Sequence, residues 1–259
     1  MKSQGRDSVK IGIVQMPMQW TTEENSTTIC QYIAQHEDLD YLVFPELSLS
    51  GFHRNIIAQS DKYTVDNAIN LVAQACRKYQ VNAFIGAPVT VESAIYNSYL
   101  AISAEGKCLT RWDKVGLTPS EARIFSAGTA RNIIKLGSSY VTSFMCREAD
   151  DHEWFISTVG HAPLNFILWP SYICHGDGEG SDDGSSQSGY FAGASSIARN
   201  LQSVVIQCNW PCSVNDAGIK GMGGSRIYGS DGETLYTMPR DEVAVGVFDL
   251  NEKTFAVRV

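Results

Sequence analysis

YLVFPELSLSGF, residues Tyr41 to Phe52, is the stretch on which the fold reading turns. Its first four residues form a continuous apolar run without alternation, the pattern of a strand buried on both faces, and the run stops at Pro45. Glu46 therefore stands at the C-terminal end of a buried strand, where the ligand sites of α/β sheets gather. Upstream, VKIGIVQ (Val9 to Gln15) alternates and is rich in β-branched residues. A polar segment from Glu23 to Glu37 follows it, with Ile29 and Ile33 at helical spacing.

Downstream, Asn67 to Tyr79 reads as a second helix and Ala83 to Val89 as the next strand. Between Ile95 and Trp112 two strand-like runs flank Ala104-Glu105-Gly106-Lys107, a hairpin turn with glycine at the tight position. Further strands are expected at Tyr140 to Met145, Phe166 to Trp169, Ser203 to Cys208, Ser225 to Tyr228, Thr234 to Thr237 and Val243 to Phe248. Helices are expected near Asp150 to Thr158 and Gly189 to Leu201. The whole is a mixed α/β chain, read as one domain over residues 1–259, with no compositional break for a linker and no fixed-period repeat.

The 259 residues are 44% hydrophobic and 19% charged, enough apolar material for a large core. A net charge of -8 gives no electrostatic footprint for nucleic acid. No run approaches the roughly 18 to 20 apolar residues that cross a bilayer, and MKSQGRDSVK is too polar for a signal peptide, so a cytoplasmic protein is expected. Seven cysteines, an odd number, argue for reduced thiols, one of them reactive. The biased segment GDGEGSDDGSSQSG, residues 176–189, cannot build a core and reads as a loop. Its Asp177, Glu179, Asp182 and Asp183 imitate a calcium loop but lack the terminal bidentate glutamate.

Cys146 closes a strand-like run ahead of an expected helix, where the helix's partial positive charge would favour thiolate. The plain alternative is an inert packed cysteine. Glu46, if buried, would have a raised pKa suited to proton transfer; otherwise it is a solvated loop residue. Lys114, in RWDKVGLTPSEARIFSAG, offers an ammonium for an oxyanion, or else a surface ion pair with Asp113. Glu121 is either part of the site or an early-helix carboxylate favoured by the dipole. His152 is the nearest histidine to Cys146 for a Cys-His pair, though an imidazole there is expected to point to solvent. Cys174-His175 with Cys208 and Cys212 lacks the short repeated spacing of structural zinc sites.

At these residues the sequence resembles the carbon-nitrogen hydrolase (nitrilase) superfamily. KIGIVQMP is similar to its first strand, FPELSLSGF to its glutamate motif, IYNSYLAISAEGK to its hairpin and RWDKVGLTPSEARIFSAG to its lysine motif. SFMCREAD with FILWPS resembles its cysteine motif and following strand, and VIQCNWP with GGSRIYGSDGE its C-terminal pair. The resemblance implies a four-layer αββα sandwich with two mixed β-sheets, a Glu46-Lys114-Cys146 triad with Glu121 beside it, and a homodimer or higher homo-oligomer. Three departures bear on specificity. Gly116 stands where the family often has histidine, Arg147 where it has an aromatic residue, and Asp151-His152-Glu153-Trp154 where it has arginine-phenylalanine-proline-glutamate.

The expected chemistry is hydrolysis of a small linear amide through a Cys146 thioester, with Glu46 as base and Lys114 as oxyanion stabiliser. No cofactor or metal is required. The backbone N–H of Arg147 is a second oxyanion donor, and Arg147 and Tyr172 are the candidate substrate contacts. An Arg147 guanidinium at the mouth suggests a polar or anionic acyl portion, unless it only meets Glu148 or Asp150. Nitrile or N-carbamoyl hydrolysis on the same triad, acyl transfer to an amine, and a catalytically idle binding or scaffold protein are the alternatives.

Overall fold

The computed structural model describes residues 8–160, 162–174 and 187–258. Most of the expected acidic loop, with Asp177, Glu179, Asp182 and Asp183, and also His175, lies outside them.

The first sheet collects β1 (Lys10–Gln15), β2 (Tyr41–Val43), β3 (Asn82–Val91), β4 (Ala94–Ile102) and β5 (Cys108–Asp113). The second holds β6 (Ile134–Leu136), β7 (Ser139–Ser143), β8 (Phe166–Ser171), β9 (Val204–Asn209), β10 (Arg226–Tyr228) and β11 (Thr234–Thr237). The chain then returns to the first with β12 (Ala244–Asp249) and β13 (Phe255–Arg258). Strand orders are β13-β12-β1-β2-β3-β4-β5 and β11-β10-β9-β8-β7-β6. Each sheet has a parallel centre, β1-β2-β3 and β7-β8-β9, with antiparallel strands outside it, so both are mixed.

Helices α1 (Thr22–Gln35) and α2 (Lys62–Tyr79) cover the first sheet, and α3 (His152–Val159) and α4 (Gln187–Asn200) the second. A central core joins Ile11, Val43, Phe84 and Trp112 of one sheet to Val141, Phe166, Leu168 and Ile206 of the other. Two outer cores seat the helix pairs, completing the four-layer αββα sandwich. The burial of both faces explains why YLV carries no polar alternation: each of its residues is buried.

α1 is capped by Thr21, whose hydroxyl accepts from the Glu24 N–H at 3.2 Å while the Glu24 carboxylate accepts from the Thr21 N–H, a reciprocal capping box. α2 begins five residues earlier than its apolar periodicity suggests, because the Asp61 side chain caps it by accepting from the Thr64 N–H at 2.9 Å. β6 and β13, three and four residues long at the sheet edges, are strands the sequence reading does not include. The cysteines form no disulfide among the described residues, and no helix of those residues is long and apolar enough to cross a membrane.

α4 lies against the turn that carries Cys146. A Cβ placed on Gly193 would stand 1.9 Å from the Ala149 carbonyl oxygen, so this contact requires a glycine. Gly193→Ala is expected to force helix and turn apart, costing about 1–3 kcal/mol. Thermal denaturation should show a lower midpoint; an unchanged one would mean that the turn yields freely.

Candidate active site

Glu46 follows β2, Lys114 follows β5 and Cys146 lies three residues beyond β7, all at strand C-terminal ends. The two sheets bring these ends together. At the glutamate, the Trp210 indole N–H donates to the Glu46 carbonyl at 2.8 Å, and Tyr99 Oη donates to the Phe44 carbonyl at 2.8 Å. Leu47 takes a positive φ of 51°. That backbone runs so close to β3 that a Cβ on Gly86 would be 2.1 Å from the Leu47 nitrogen. The glutamate is thus fixed by main chain as well as by its side chain.

Lys114 is 1% exposed, and Glu46 and Glu121 are 0% and 4%. Its Nζ lies 2.7 Å from Glu46 Oε1 and 2.7 Å from Glu121 Oε1. The Asp113 ion-pair alternative for Lys114 is therefore set aside; Asp113 pairs with Arg111 at 2.8 Å. Nor is Glu121 a solvated dipole partner: it begins the 3-10 turn Glu121–Arg123, turns inward and accepts from the Thr118 N–H through Oε2 at 2.9 Å.

Asn97 was not among the sequence candidates. Its Nδ2 donates to Glu46 Oε1 at 2.8 Å and to Glu121 Oε1 at 3.2 Å. Its carbonyl accepts the Lys114 N–H at 2.8 Å. The available signal was an asparagine in the middle of the otherwise strand-forming run IYNSYLAI, a residue type that strands disfavour.

Burial raises the pKa of Glu46, and the Glu121 charge adds to this, against the opposing pull of Lys114. Glu121 is also pushed up by burial, but Lys114 and the Thr118 N–H outweigh that and hold it below the ordinary carboxylate range. Burial would neutralise Lys114, yet the two carboxylates hold it firmly protonated. One ammonium and one ionised carboxylate result, and Glu46 is the acid left with the raised pKa. Its Oε2 is buried and has no hydrogen-bond partner among the described residues.

Cys146 opens the 3-10 turn Cys146–Ala149 with a φ of 45°, a strained value for a residue with a Cβ. The Trp169 indole N–H holds its carbonyl at 2.9 Å, and Sγ lies 3.8 Å from the Tyr172 carbonyl oxygen. The expectation of a thiolate is corrected. Burial, reinforced by Glu46, pushes the thiol well up despite Lys114. A four-residue turn carries too little aligned dipole to oppose that.

Cys146 opens into a cavity of about 320 Å³ lined by Phe52, Lys114, Glu121, Arg147, Tyr172 and Tyr190, among others. Both candidate substrate contacts are therefore on its wall. Arg147 pairs with Asp151 at 3.3 Å, four residues on in the chain. A Cβ at Gly116 would be 2.5 Å from Asp151 Oδ2 and 3.1 Å from Arg147 Nη1. The departures at 116, 147 and 151 are thus one contact set. His152 is half-buried, with Nδ1 buried, and lines a separate cavity with Gly116 and Trp154, not the wall around Cys146. Cys208, one of the residues of that zinc pattern, is fully buried with its Sγ against the Val14 and Val43 carbonyls.

Glu148 and Arg131, also absent from the sequence candidates, tie the lysine and cysteine segments together. Glu148 Oε1 accepts from the N–H groups of Val115 (2.5 Å) and Gly116 (3.1 Å), and Oε2 from Met145 N–H at 2.6 Å. Arg131 pairs with Glu148 and donates to the carbonyls of Asp113 (2.5 Å) and Ala130 (3.0 Å).

A family model described as carbon-nitrogen hydrolase matches residues 10–150, more than half of the chain. An (R)-stereoselective amidase from Pseudomonas sp is 35% identical over 92 residues, 35% of this chain and 33% of that protein. The matched segment thus spans about a third of that curated relative. A cysteine-to-alanine mutant of the Nesterenkonia AN1 amidase from the nitrilase superfamily superposes with a TM-score of 0.80 at 19% identity, covering 96% of this chain and 93% of that one. A glutamate variant of that amidase, carrying the acetamide moiety of fluoroacetamide on its active-site cysteine, gives 0.80 at 18%, covering 95% and 91%. At these identities the likeness is one of fold.

Removing one partner of a buried ion pair strands the other charge, at about 3–5 kcal/mol. Arg131→Met is therefore expected to shift urea unfolding to clearly lower concentration, and Glu148→Gln, which keeps an acceptor for the backbone N–H groups, to shift it less. Wild-type midpoints in both would remove the clamp.

Proposed function

The chain belongs to the carbon-nitrogen hydrolase family, and on that premise we propose that it hydrolyses a small linear amide through a thioester on Cys146, releasing ammonia or an amine. The observation that carries the reading is Glu46: one oxygen is held by Lys114 and Asn97, and the other is buried with no hydrogen-bond partner among the described residues. A carboxylate so placed, with its pKa raised, is built to take a proton and return it. The names of the similar proteins, amidases in each case, support the same chemistry.

Ionised Glu46 takes the proton of the Cys146 thiol as Sγ attacks the carbonyl carbon. The carbonyl π pair moves to oxygen, and the oxyanion is met by the Lys114 ammonium and the Arg147 backbone N–H. Glu46 gives the proton to the leaving nitrogen as the carbon-nitrogen bond breaks, leaving the thioester. Glu46 then takes a proton from water, hydroxide adds to the acyl carbon, and collapse expels the Cys146 sulfur, which recovers the proton. Glu121 keeps Lys114 charged and in place throughout. Proton delivery to nitrogen favours an amide over a nitrile. Arg147 and Tyr172 contact the substrate; because Arg147 already pairs with Asp151, a substrate carboxylate has to displace that partner, so the anionic preference is modest. The homodimer or higher homo-oligomer implied by the family resemblance belongs to the same proposal.

Mass spectrometry of enzyme trapped with a slowly released amide is expected to find the acyl group on Cys146, with Cys146→Ala inactive; an adduct on Cys174 or Cys208 would overturn the assignment. Lys114→Met should lower turnover by about 100-fold or more. The kcat/KM of the wild type should rise with pH through an apparent pKa above the ordinary carboxylate range, because the group that must lose its proton is raised by burial. Glu46→Gln should remove that limb. A flat profile in the wild type, or faster cleavage of nitriles than of the matching amides, would reject the amide mechanism.

A further inference from the structure

Beside the catalytic cavity lies a second one of about 360 Å³, walled by Ile56, Ile124 and Phe125. The two share Phe52, Ser120, Glu121 and Tyr172, so they adjoin across the aromatic pair and the carboxylate that holds Lys114. Building on the amide reading above, we infer that this second cavity is a substrate subsite, and that the favoured amides carry a compact apolar group, a phenyl or a branched alkyl.

Three observations support this. The subsite is preformed, because Ile56 and Phe125 are each 5% exposed and pack with buried Leu47, the residue after Glu46. Its shared wall is rigid: the Phe52 and Tyr172 rings stack at 4.8 Å with 8° between planes, and Tyr172 Oη donates to Ser213 Oγ at 2.7 Å. The loops on its rim are joined by Asn215, whose Oδ1 accepts the Arg54 N–H at 2.9 Å and whose Nδ2 donates to the Phe52 carbonyl at 3.4 Å. A rigid apolar recess costs a ligand little reorganisation and rewards burial of apolar surface. A small unbranched amide is accommodated in the cavity at Cys146 and leaves this recess unused. On this inference an apolar extension enters it along the edge where Phe52, Ser120, Glu121 and Tyr172 line both cavities.

Ile124 is partly buried, lines the second cavity and not the one at Cys146, and has no part in the chemistry, so it can be enlarged or trimmed. The probes are acetamide, phenylacetamide and N-benzylacetamide, the last two placing the ring on the acyl side and on nitrogen. In the Cys146→Ala background, calorimetry should show at least one ring-bearing amide binding roughly tenfold or more tighter than acetamide, the scale of discrimination in an apolar pocket. Which of the two does so identifies the end of the substrate that enters. Ile124→Trp, which fills the recess, should abolish that difference while leaving acetamide turnover in the Cys146-containing enzyme within about threefold. Ile124→Ala should retain the recess and, with a folded protein, weaken ring binding only in part. Equal affinity of all three amides, or an unchanged preference in Ile124→Trp, would overturn the subsite even if acetamide is hydrolysed. Absence of turnover with a ring preference intact in the binding measurement would instead reject the amide reading and keep the subsite.

Discussion

A lysine ammonium 1% exposed to solvent cannot remain charged on its own, and everything around Lys114 follows from that constraint. Two carboxylates from different parts of the chain close on it at 2.7 Å each, and Asn97 bonds the same oxygens. With one positive charge between two acids, the acids cannot behave alike. Glu121, supported also by Thr118, is held ionised; Glu46, the more buried of the two, is left with the raised pKa. The difference in pKa between them thus comes from unequal burial and hydrogen bonding, not from residue type.

Holding such a cluster requires main chain placed to fractions of an ångström. The structure meets this with indole and phenol donors fixed on backbone carbonyls at Phe44, Glu46 and Cys146, and with glycines where chains touch, at Gly86 and Gly193. Strained φ values at Leu47 and Cys146 persist because these surroundings over-determine them. The Glu148-Arg131 pair performs the same service between the lysine and cysteine segments. It consumes buried charge to fix position.

Much of the architecture was legible. Continuous apolar runs marked the central strands, helical spacing marked the helices, and motif order gave Glu46, Lys114, Glu121 and Cys146. The errors have physical causes. The apolar spacing of α2 starts later than the helix because its first turn is polar and held by the Asp61 cap. β6 and β13 are edge strands with one buried residue between them, so no core-facing pattern marks them. A thiolate was expected because strand-then-helix suggested a dipole, whereas the residue opens a short 3-10 turn and is governed by burial.

The sequence by itself determined which elements form, their order, and which residue types end the strands at the site, because periodicity and strand-terminating residues are local properties. Only the tertiary structure decided the charges on those residues, the recruitment of Asn97, Arg131 and Glu148, and the contact that makes Gly116, Arg147 and Asp151 one unit. Those depend on desolvation and on distances between segments tens of residues apart. No local pattern encodes either quantity, since both exist only once the two sheets have packed and excluded water.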